Sequence, residues 1–379
     1  MTAITLVILG IILGESLEAR GFAIEQRYQL YQLITRRLSF DEPYPERTVL
    51  VTIRDEEFWK GYLARRIPLK RDYLGTLIEK ISSADPSAIA LDLDLRSPTP
   101  DGSLIDNPDY AKESGEFLDK VQKTSQKTPI ILPKTIAFAE GYYYPEPDIY
   151  ENFDFRGGKV SFGYVLLPFD YRRVPLAVNM KDGSTLDSLA EAMVRVDNPE
   201  ALKTVVEGGN LPFGYYLSEG QFTKVSASDV YSANTDALRK LHHRIVIVGG
   251  EWSARGYGRG SKVDMHSTPA GPLPGALMHA NFVESLVHRR TYRTWGQAVV
   301  IVLDLLMSIL VAIIFALTPR LLWKSLAGLG IFFVLFLLSY ASWRNLGIFY
   351  DSFIPGVLVI SHGLYEQVRE WVSDKEGGG

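Results

Sequence analysis

Two acidic residues, Asp92 and Asp94, follow a β-branched run and are the first candidates for chemistry. Side chains two positions apart lie on the same face of a strand, so the spacing predicts both carboxylates on one face. Two adjacent carboxylates can hold Mg²⁺ or Ca²⁺, or share one proton. Alternatively, they cap loops or pair with Arg96 or Arg54. We treat both as candidate ligand-binding residues and assign no metal site.

A second group lies between residues 264 and 281, where one carboxylate, two imidazoles and one amide occur close together in Asp264, His266, His279 and Asn281. A carboxylate with two histidines is a plausible metal set. The same residues suit a hydrogen-bonded cluster that holds an irregular loop, which is the interpretation we favour. Because histidine titrates near neutrality, a pH-responsive pair is a further alternative.

Arginines supply candidate anion contacts. The segment 249–260 is rich in glycine, but its spacing is neither a Walker loop nor a dinucleotide fingerprint. We predict a flexible loop in which Arg255 and Arg259 can contact an anion. Arg172 can bind carboxylate or phosphate, or lie in a solvated turn. Hydrolase, zinc-protease and kinase signatures do not occur, so we expect no enzyme and no cofactor.

Strands and helices alternate around these residues. β-branched runs predict strands at 47–53, 88–95, 129–137, 159–167 and 244–249, and helical periodicity appears at 71–82, 110–123, 186–196 and 277–288. Alternation predicts an α/β domain over 47–290 with a mainly parallel or mixed sheet. Ligands of such sheets bind beyond the carboxyl ends of the strands, where Asp92, Asp94 and a turn at Gly249–Gly250 are expected to cluster.

Three long apolar segments follow, at 295–317, 321–343 and about 346–364, with short turns at 318–320 and 344–345. Each is close to the roughly 20 apolar residues that cross a bilayer as a helix. Asp304 lies mid-span, where a carboxylate costs roughly 2.5–3.5 kcal/mol. We expect Asp304 to face the bundle interior, protonated or paired with His362, with Asp351 as a competitor, and to act in helix assembly or signal transmission.

The N-terminal end is ambiguous. Residues 1–15 contain a short apolar run that fits a signal peptide or a span, and we favour a span that continues into a stalk helix over 16–46. Orientation is not decided by charge, because the two sides of the spans carry equal numbers of basic residues: Arg289, Arg290, Arg293 and Arg344 against Arg320, Lys324, Arg369 and Lys375. Residues 365–379 form a short tail.

Composition excludes two classes of site. The net charge of −4 offers no basic surface for nucleic acid, and the absence of cysteine excludes disulfides and thiolate metal sites.

The order of these motifs resembles the CHASE type-two domain, a bacterial sensory module. The resemblance rests on the D-x-D strand at Asp92, V-S-x-x-D-V at 225–230, R-I-V-I-V-G-G at 244–250, D-x-H-x-T-P at 264–269 and P-G-x-x-x-H-A-N at 274–281, followed by three apolar spans. It implies an extracytoplasmic sensor domain in the bacterial inner membrane, with the helix 295–317 carrying the signal inward.

The resemblance supplies no ligand, and its usual kinase or cyclase output domain does not follow the last span. Either the chain is truncated or its output partner is a separate chain, and we favour a multi-pass sensory subunit, embedded in the lipid bilayer, that forms homo-oligomers and acts through a separate effector protein. Two other functions remain open: a membrane scaffold that oligomerises or recruits an effector, and a tethered metal-dependent hydrolase using Asp92, Asp94, Asp264 and His266.

Overall fold

The computed structural model describes residues 45–97, 109–165, 174–202, 210–211, 217–268, 271–288, 293–294, 321–346 and 348–349, with single positions 30, 31, 33, 34, 37, 302, 306, 309, 313, 317, 365 and 369. Arg172, Asp304, Asp351 and His362 lie outside the described residues. So do nearly all of the segments 1–44, 295–317 and 350–379. The chain divides into two compact units, residues 41–291 and the combination of 1–40 with 292–379.

The larger unit contains six parallel strands and the helices that cover them. The strands of its main sheet are β1 Thr48–Ile53, β2 Ala88–Asp92, β3 Ile130–Lys134, β6 Val160–Tyr164, β11 Lys224–Ser226 and β12 Ile245–Gly250. The spatial order is β11-β1-β12-β2-β3-β6, and every neighbouring pair is parallel. The predicted α/β fold with a mainly parallel sheet is therefore confirmed for this unit.

The helices are α1 Arg71–Ser83, α2 Tyr110–Ser125, α3 Leu189–Asp197, α4 Pro199–Leu202, α5 Ala227–Tyr231, α6 Thr235–Arg239 and α7 Gly275–Val287. Six short strands form three antiparallel pairs outside the main sheet: β4 Ile136–Ala139 with β5 Tyr142–Pro145, β8 Ala177–Asn179 with β9 Thr185–Asp187, and β7 Val174–Pro175 with β10 Asn210–Leu211. A further hairpin joins β13 Met265–Thr268 to β14 Gly271–Pro274.

Both faces of the sheet are covered, as parallel sheets require. On one face, Val51, Leu91 and Val248 pack with Leu74 of α1 and Phe117 of α2 in one hydrophobic core. On the other face, α3 and α7 pack against each other and against the central strands. The alternating residues of that second face include Asp92 and Gly249, so the candidate site belongs to the α7 side of the sheet.

Several boundaries differ from the sequence prediction, and the predicted strand 129–137 is divided into β3 and β4. The strand predicted to reach Leu95 ends at Asp92, and Gly249–Gly250 form the last pairs of β12 rather than a turn. The helix predicted from Leu186 begins at Leu189, because 185–187 pair as β9 with β8. The pairs made by Gly249–Gly250 and by 185–187 involve tertiary partners, which local periodicity does not contain.

The second unit contains the helix α8 Leu321–Leu346. Within the described residues, Leu326–Asn345 is the one stretch long and apolar enough to cross a membrane. The turn predicted at 344–345 is wrong, since α8 runs to Leu346. The third segment does not start as a helix, because β16 Ile348–Phe349 pairs in parallel with β15 Arg293–Thr294. The remaining spans stay predictions.

Positions 30, 31, 33, 34 and 37 of the predicted stalk are described and helical, and Tyr31 among them contacts α8. Tyr31 is helical and fully buried, and its hydroxyl donates to Ser339 Oγ of α8 at 2.6 Å. The Tyr31 ring lies 5.4–5.5 Å from the rings of Phe336, Tyr340 and Trp343. The N-terminal helix and α8 are therefore packed together at this point by both apolar and polar contacts.

Candidate functional site

The candidate site lies at the carboxyl end of the central strands. Asp92 is the last residue of β2 and stands opposite Gly249 of β12 in the parallel register. Its side chain is only 10% exposed, on the face that α7 covers. This is the edge where parallel α/β sheets bind ligands.

The N-terminus of α7 brings a second carboxylate to Asp92. Helix α7 begins at Gly275, whose N–H donates to the Asp264 carbonyl oxygen at 3.0 Å. A Cβ atom at Gly275 would collide with Asp264 Oδ2 and stand 3.3 Å from Asp92 Oδ2. Glycine is therefore needed here, because both carboxylates occupy the space directly in front of the helix. The partial positive charge of a helix N-terminus favours such anions.

His279 completes the cluster one turn into α7. It is 2% exposed, and its Nε2 lies 3.7 Å from Asp92 Oδ1, too far for a hydrogen bond. Neither ring nitrogen of His279 has a hydrogen-bond partner in the described part of the chain. Leaving a buried polar group unpaired costs about 1–3 kcal/mol. An unpaired, buried imidazole at the edge of the sheet where ligands bind is therefore a sign that the site is built for something besides stability.

Burial sets the protonation of the cluster. The pKa of Asp92 is raised well above its usual value by burial and by the nearby Asp264 carboxylate. Burial also lowers the pKa of His279 to about 4; the Asp264 carboxylate opposes that shift and His266 adds to it. At neutral pH the site therefore holds a neutral imidazole beside a carboxyl group that resists ionisation, and it offers both hydrogen-bond donors and acceptors.

His266 and Asn281 contribute differently. The Nε2 of His266 lies 2.7 Å from Asp264 Oδ1, so His266 orients that carboxylate. Asn281 is fully buried, but its Oδ1 accepts from the Leu217 N–H at 3.3 Å and its amide donates to the Leu277 carbonyl at 3.4 Å. Asn281 thus holds the chain near Leu217, in the loop-holding role that the sequence favoured, whereas His279 has no such role.

Asp94 does not join Asp92. Beyond the end of β2 its carboxylate turns to Arg96, 2.7 Å away, and its side chain is 58% exposed. Burial raises the pKa of Asp94, but hydrogen bonds and charge from Arg96 outweigh it, and the net shift is downward. Pairing with Arg96 was one of the alternatives that the sequence offered. Asp92 and Asp94 would share one face only if both belonged to a strand, and β2 ends at Asp92.

The glycine-rich segment is an anchored loop, contrary to the prediction of a flexible one. The Asp55 carboxylate accepts hydrogen bonds from the N–H and hydroxyl of Ser253 and from the Gly258 N–H, at 2.6–2.9 Å. Arg255 and Arg259 are exposed and bracket a turn in which the Arg259 N–H donates to the Gly256 carbonyl. Neither arginine is brought to the Asp92 cluster by any described contact.

Sequence inspection missed a set of buried acids. Glu284 is completely buried in α7, and Glu57 and Glu251 are nearly so. Their partners are strand ends and loops: Glu57 binds Ser226 and Ser228, and Glu251 lies within 2.7 Å of both Lys224 and Lys262. The sequence did contain one indication of Glu284. An acidic residue inside an otherwise apolar helix such as 275–287 must find buried hydrogen-bond partners.

The described residues that come closest to the geometry of a metal site lie outside this cluster. Asp85, His242 and His243 each offer one potential metal-ligand atom, and these three atoms lie within 4.8 Å of one another. No other group of three among the described residues meets this distance. The donor atoms of Asp92, Asp264 and His279 are spread more widely than one coordination sphere.

The fold and the cluster define an α/β domain with a buried polar site at the carboxyl edge of its sheet. A family model, the CHASE2 domain, matches residues 3–317. The chain belongs to the CHASE2 family, a family of extracellular sensory domains, so its role is sensory. Neither the search of curated proteins nor that of solved structures found a match.

Replacing Asp92 with asparagine should stabilise the protein at neutral pH. Because its folded pKa is raised, the folded carboxyl keeps its proton after the unfolded chain ionises near 3.8, so wild-type stability falls as pH rises above that value. Each unit of pKa shift corresponds to about 1.4 kcal/mol. Urea unfolding of the detergent-solubilised full chain should show Asp92→Asn more stable by about 1 kcal/mol or more at pH 7, with a smaller gain towards pH 4.

Asp94→Asn is the matched control. The lowered pKa of Asp94 means that its carboxylate contributes stability above pH 3.8, so its replacement should give a small loss at pH 7. If Asp92→Asn destabilises the protein at pH 7 as Asp94→Asn does, the buried and protonated state of Asp92 is wrong.

Proposed function

We propose that this chain is a multi-pass sensory subunit of the bacterial inner membrane, whose CHASE2 domain binds a small polar ligand at the Asp92–Asp264–His279 cluster. The observation that carries this proposal is the complete burial of His279 without a hydrogen-bond partner among the described residues. Signalling acts on a separate effector protein, and the chain itself is not an enzyme.

The chemistry of the cluster specifies what the ligand must offer. A neutral imidazole has one donor and one acceptor, and a protonated carboxyl has one donor with remaining acceptor capacity. The Asp264 carboxylate adds acceptors at the N-terminus of α7. A ligand that carries both a hydrogen-bond donor, such as an amine or hydroxyl, and an acceptor would satisfy the groups that remain unpaired.

Coupling to the membrane region rests on the second unit. Tyr31 joins the N-terminal helix to α8 through its hydrogen bond to Ser339 and its aromatic neighbours. Two packed helices can change their relative position when a ligand binds one state better than the other by a few kcal/mol. Asp304, predicted to lie mid-span, is the proposed transmission residue, and Asp304→Asn should alter assembly or signalling.

His279→Leu should abolish ligand binding without unfolding the protein. The full chain in nanodiscs would be screened by thermal shift with amino acids, sugars and polyamines, in the presence of a chelator. A ligand at 100 times its Kd adds about 2.7 kcal/mol to wild-type stability, and this gain should vanish in His279→Leu. Without ligand the variant should equal or exceed the wild type, since an unpaired buried polar group has been removed.

His242→Leu serves as the matched control, because His242 is an exposed histidine at the opposite edge of the sheet. It should retain the full ligand-induced gain. A gain that persists in His279→Leu, or that disappears equally in His242→Leu, would contradict the proposed site.

Reconstitution tests the proposal that this chain signals through a separate effector protein. The purified protein would be combined with the products of neighbouring reading frames, and a ligand-dependent change in their activity would be measured with wild type and His279→Leu. Substrate turnover by the isolated chain, or an effector response that ignores His279→Leu, would overturn this part of the proposal.

A further inference from the structure

A second cluster of ligating side chains lies at the amino edge of the sheet, the opposite end from the Asp92 cluster. Asp85 follows the end of α1 and precedes β2, and His242 and His243 lie between α6 and β12. One potential ligand atom from each of these three residues lies within 4.8 Å of the others. Two imidazoles and one carboxylate form a metal-binding set on many folds.

The two loops that present these residues are held together by backbone hydrogen bonds. The His243 N–H donates to the Asp85 carbonyl at 3.1 Å, and the Ser87 N–H donates to the Arg244 carbonyl at 2.9 Å. Asp85 and His243 both have left-handed backbone conformations, with φ of 56° and 55°. The spacing of the three side chains is therefore set by the fold and not by the reach of long side chains.

The tautomer of His242 is fixed in the form that a metal requires. Its Nδ1 lies 3.2 Å from the Ala84 carbonyl oxygen. A carbonyl only accepts, so Nδ1 carries the proton and Nε2 keeps its lone pair. A backbone carbonyl on the second ring nitrogen is the usual outer-shell partner of a ligating histidine.

The neighbouring charges are compatible with an incoming cation. The His243 Nδ1 lies 4.0 Å from Asp85 Oδ2, and the two imidazole centroids are 3.7 Å apart. Lys127 Nζ lies 3.6 Å from the other carboxylate oxygen, Oδ1, of Asp85. The Lys127 ammonium therefore occupies a position where positive charge is favoured. Because the Lys127 side chain is 61% exposed, it can move away from Asp85 into solvent at little cost when a metal ion binds.

We propose that Asp85, His242 and His243 bind a borderline divalent transition metal ion of the Zn²⁺, Ni²⁺ or Cu²⁺ type. The imidazole nitrogens select these ions over Mg²⁺ and Ca²⁺, which prefer sets of oxygen ligands. All three side chains are exposed, so water completes the coordination. The ion joins the loop after α1 to the loop before β12. This site is independent of the proposed ligand site.

The test is Zn²⁺ titration of the full chain, expressed without a polyhistidine tag, by isothermal calorimetry in detergent. We expect one equivalent to bind, with affinity at least tenfold weaker in His242→Ala and in His243→Ala. Lys127→Ala should bind as tightly as wild type or more tightly, because a competing cation is removed. Mg²⁺ should give no binding at the same concentration.

His279→Leu is the control that separates the two sites, and it should leave Zn²⁺ affinity unchanged. Electron paramagnetic resonance of the Cu²⁺ complex should show nitrogen coupling that is reduced in His243→Ala. Absence of Zn²⁺ binding, binding that survives both histidine substitutions, or binding that His279→Leu removes would each overturn the proposal.

Discussion

Glu284→Ala is expected to destabilise the larger unit by about 3 kcal/mol or more, enough to unfold much of a marginally stable domain. The Glu284 carboxylate is completely buried and accepts hydrogen bonds from the N–H groups of Glu46, Arg47 and Thr48 and from the Thr48 hydroxyl, at 2.7–3.2 Å. Alanine would leave the N–H and hydroxyl of buried Thr48, and the half-buried N–H of Arg47, without their carboxylate acceptor.

The stability that the Glu284 carboxylate contributes should depend on pH. Burial raises the pKa of Glu284, but hydrogen bonds from His288, Thr48 and Arg47 outweigh it, and the pKa lies below the usual 4.5. A lowered folded pKa contributes stability that is present above pH 4.5 and lost as pH falls through the folded value. The stability difference between wild type and Glu284→Ala should therefore shrink under acid conditions.

The measurement is the free energy of unfolding in urea at several pH values. Glu116→Ala is the control, since Glu116 is exposed on α2 and its loss should change stability by less than about 0.5 kcal/mol. A Glu284→Ala change as small as the control's would show that the donors at the start of β1 find other partners.

Gly249→Ala should destabilise the protein by about 2 kcal/mol or more and also disturb the ligand site. A Cβ at Gly249 would stand 2.5 Å from the Ala276 Cβ at the beginning of α7. Relief of this overlap requires α7 to move away from β12. Because Asp92 lies opposite Gly249 and His279 lies on α7, that movement would change the distance between the two site residues.

The double variant Gly249→Ala/Ala276→Gly tests this cause directly. Removing the Ala276 methyl group makes room for the new one, so the pair should be more stable than the sum of the single changes by about 1 kcal/mol or more. Gly115→Ala, on α2, where a Cβ meets nothing within 4 Å, should instead add up to about 1 kcal/mol through helix propensity. Additive single changes would exclude the overlap as the source of the destabilisation.

The parallel class of the sheet and the order of strands and helices were predicted from the local sequence pattern. The runs at β1 and β12 are nearly all apolar and β-branched, as expected for strands buried on both faces, and they were predicted within one residue of their bounds. Strand ends were less predictable. The step from β2 into the loop at Leu93 depends on the chain that packs around it, which the period-two pattern does not encode.

The candidate site also combines features that the sequence predicts with features that only the tertiary structure shows. The sequence placed Asp264, His266, His279 and Asn281 in one short block and identified Asp92 separately, and the ligand-binding role of these residues remains a prediction. Only the tertiary structure distinguishes Asn281, which is paired with Leu217, from His279, which is not. Composition could not separate them, because both are polar residues two positions apart on the same buried helix.

By itself, then, the sequence determined an alternating α/β domain, an apolar helical segment at 321–343 and the polar block that identifies the family, because these are properties of neighbouring residues and their periodicity. The tertiary structure decided which polar groups are satisfied by distant partners: Glu284 by the start of β1, and Asp55 by the loop 253–258. Hydrogen-bond partners far apart in the chain meet only when the sheet is assembled. For that reason the unpaired His279, on which the proposed function rests, is visible in the fold alone.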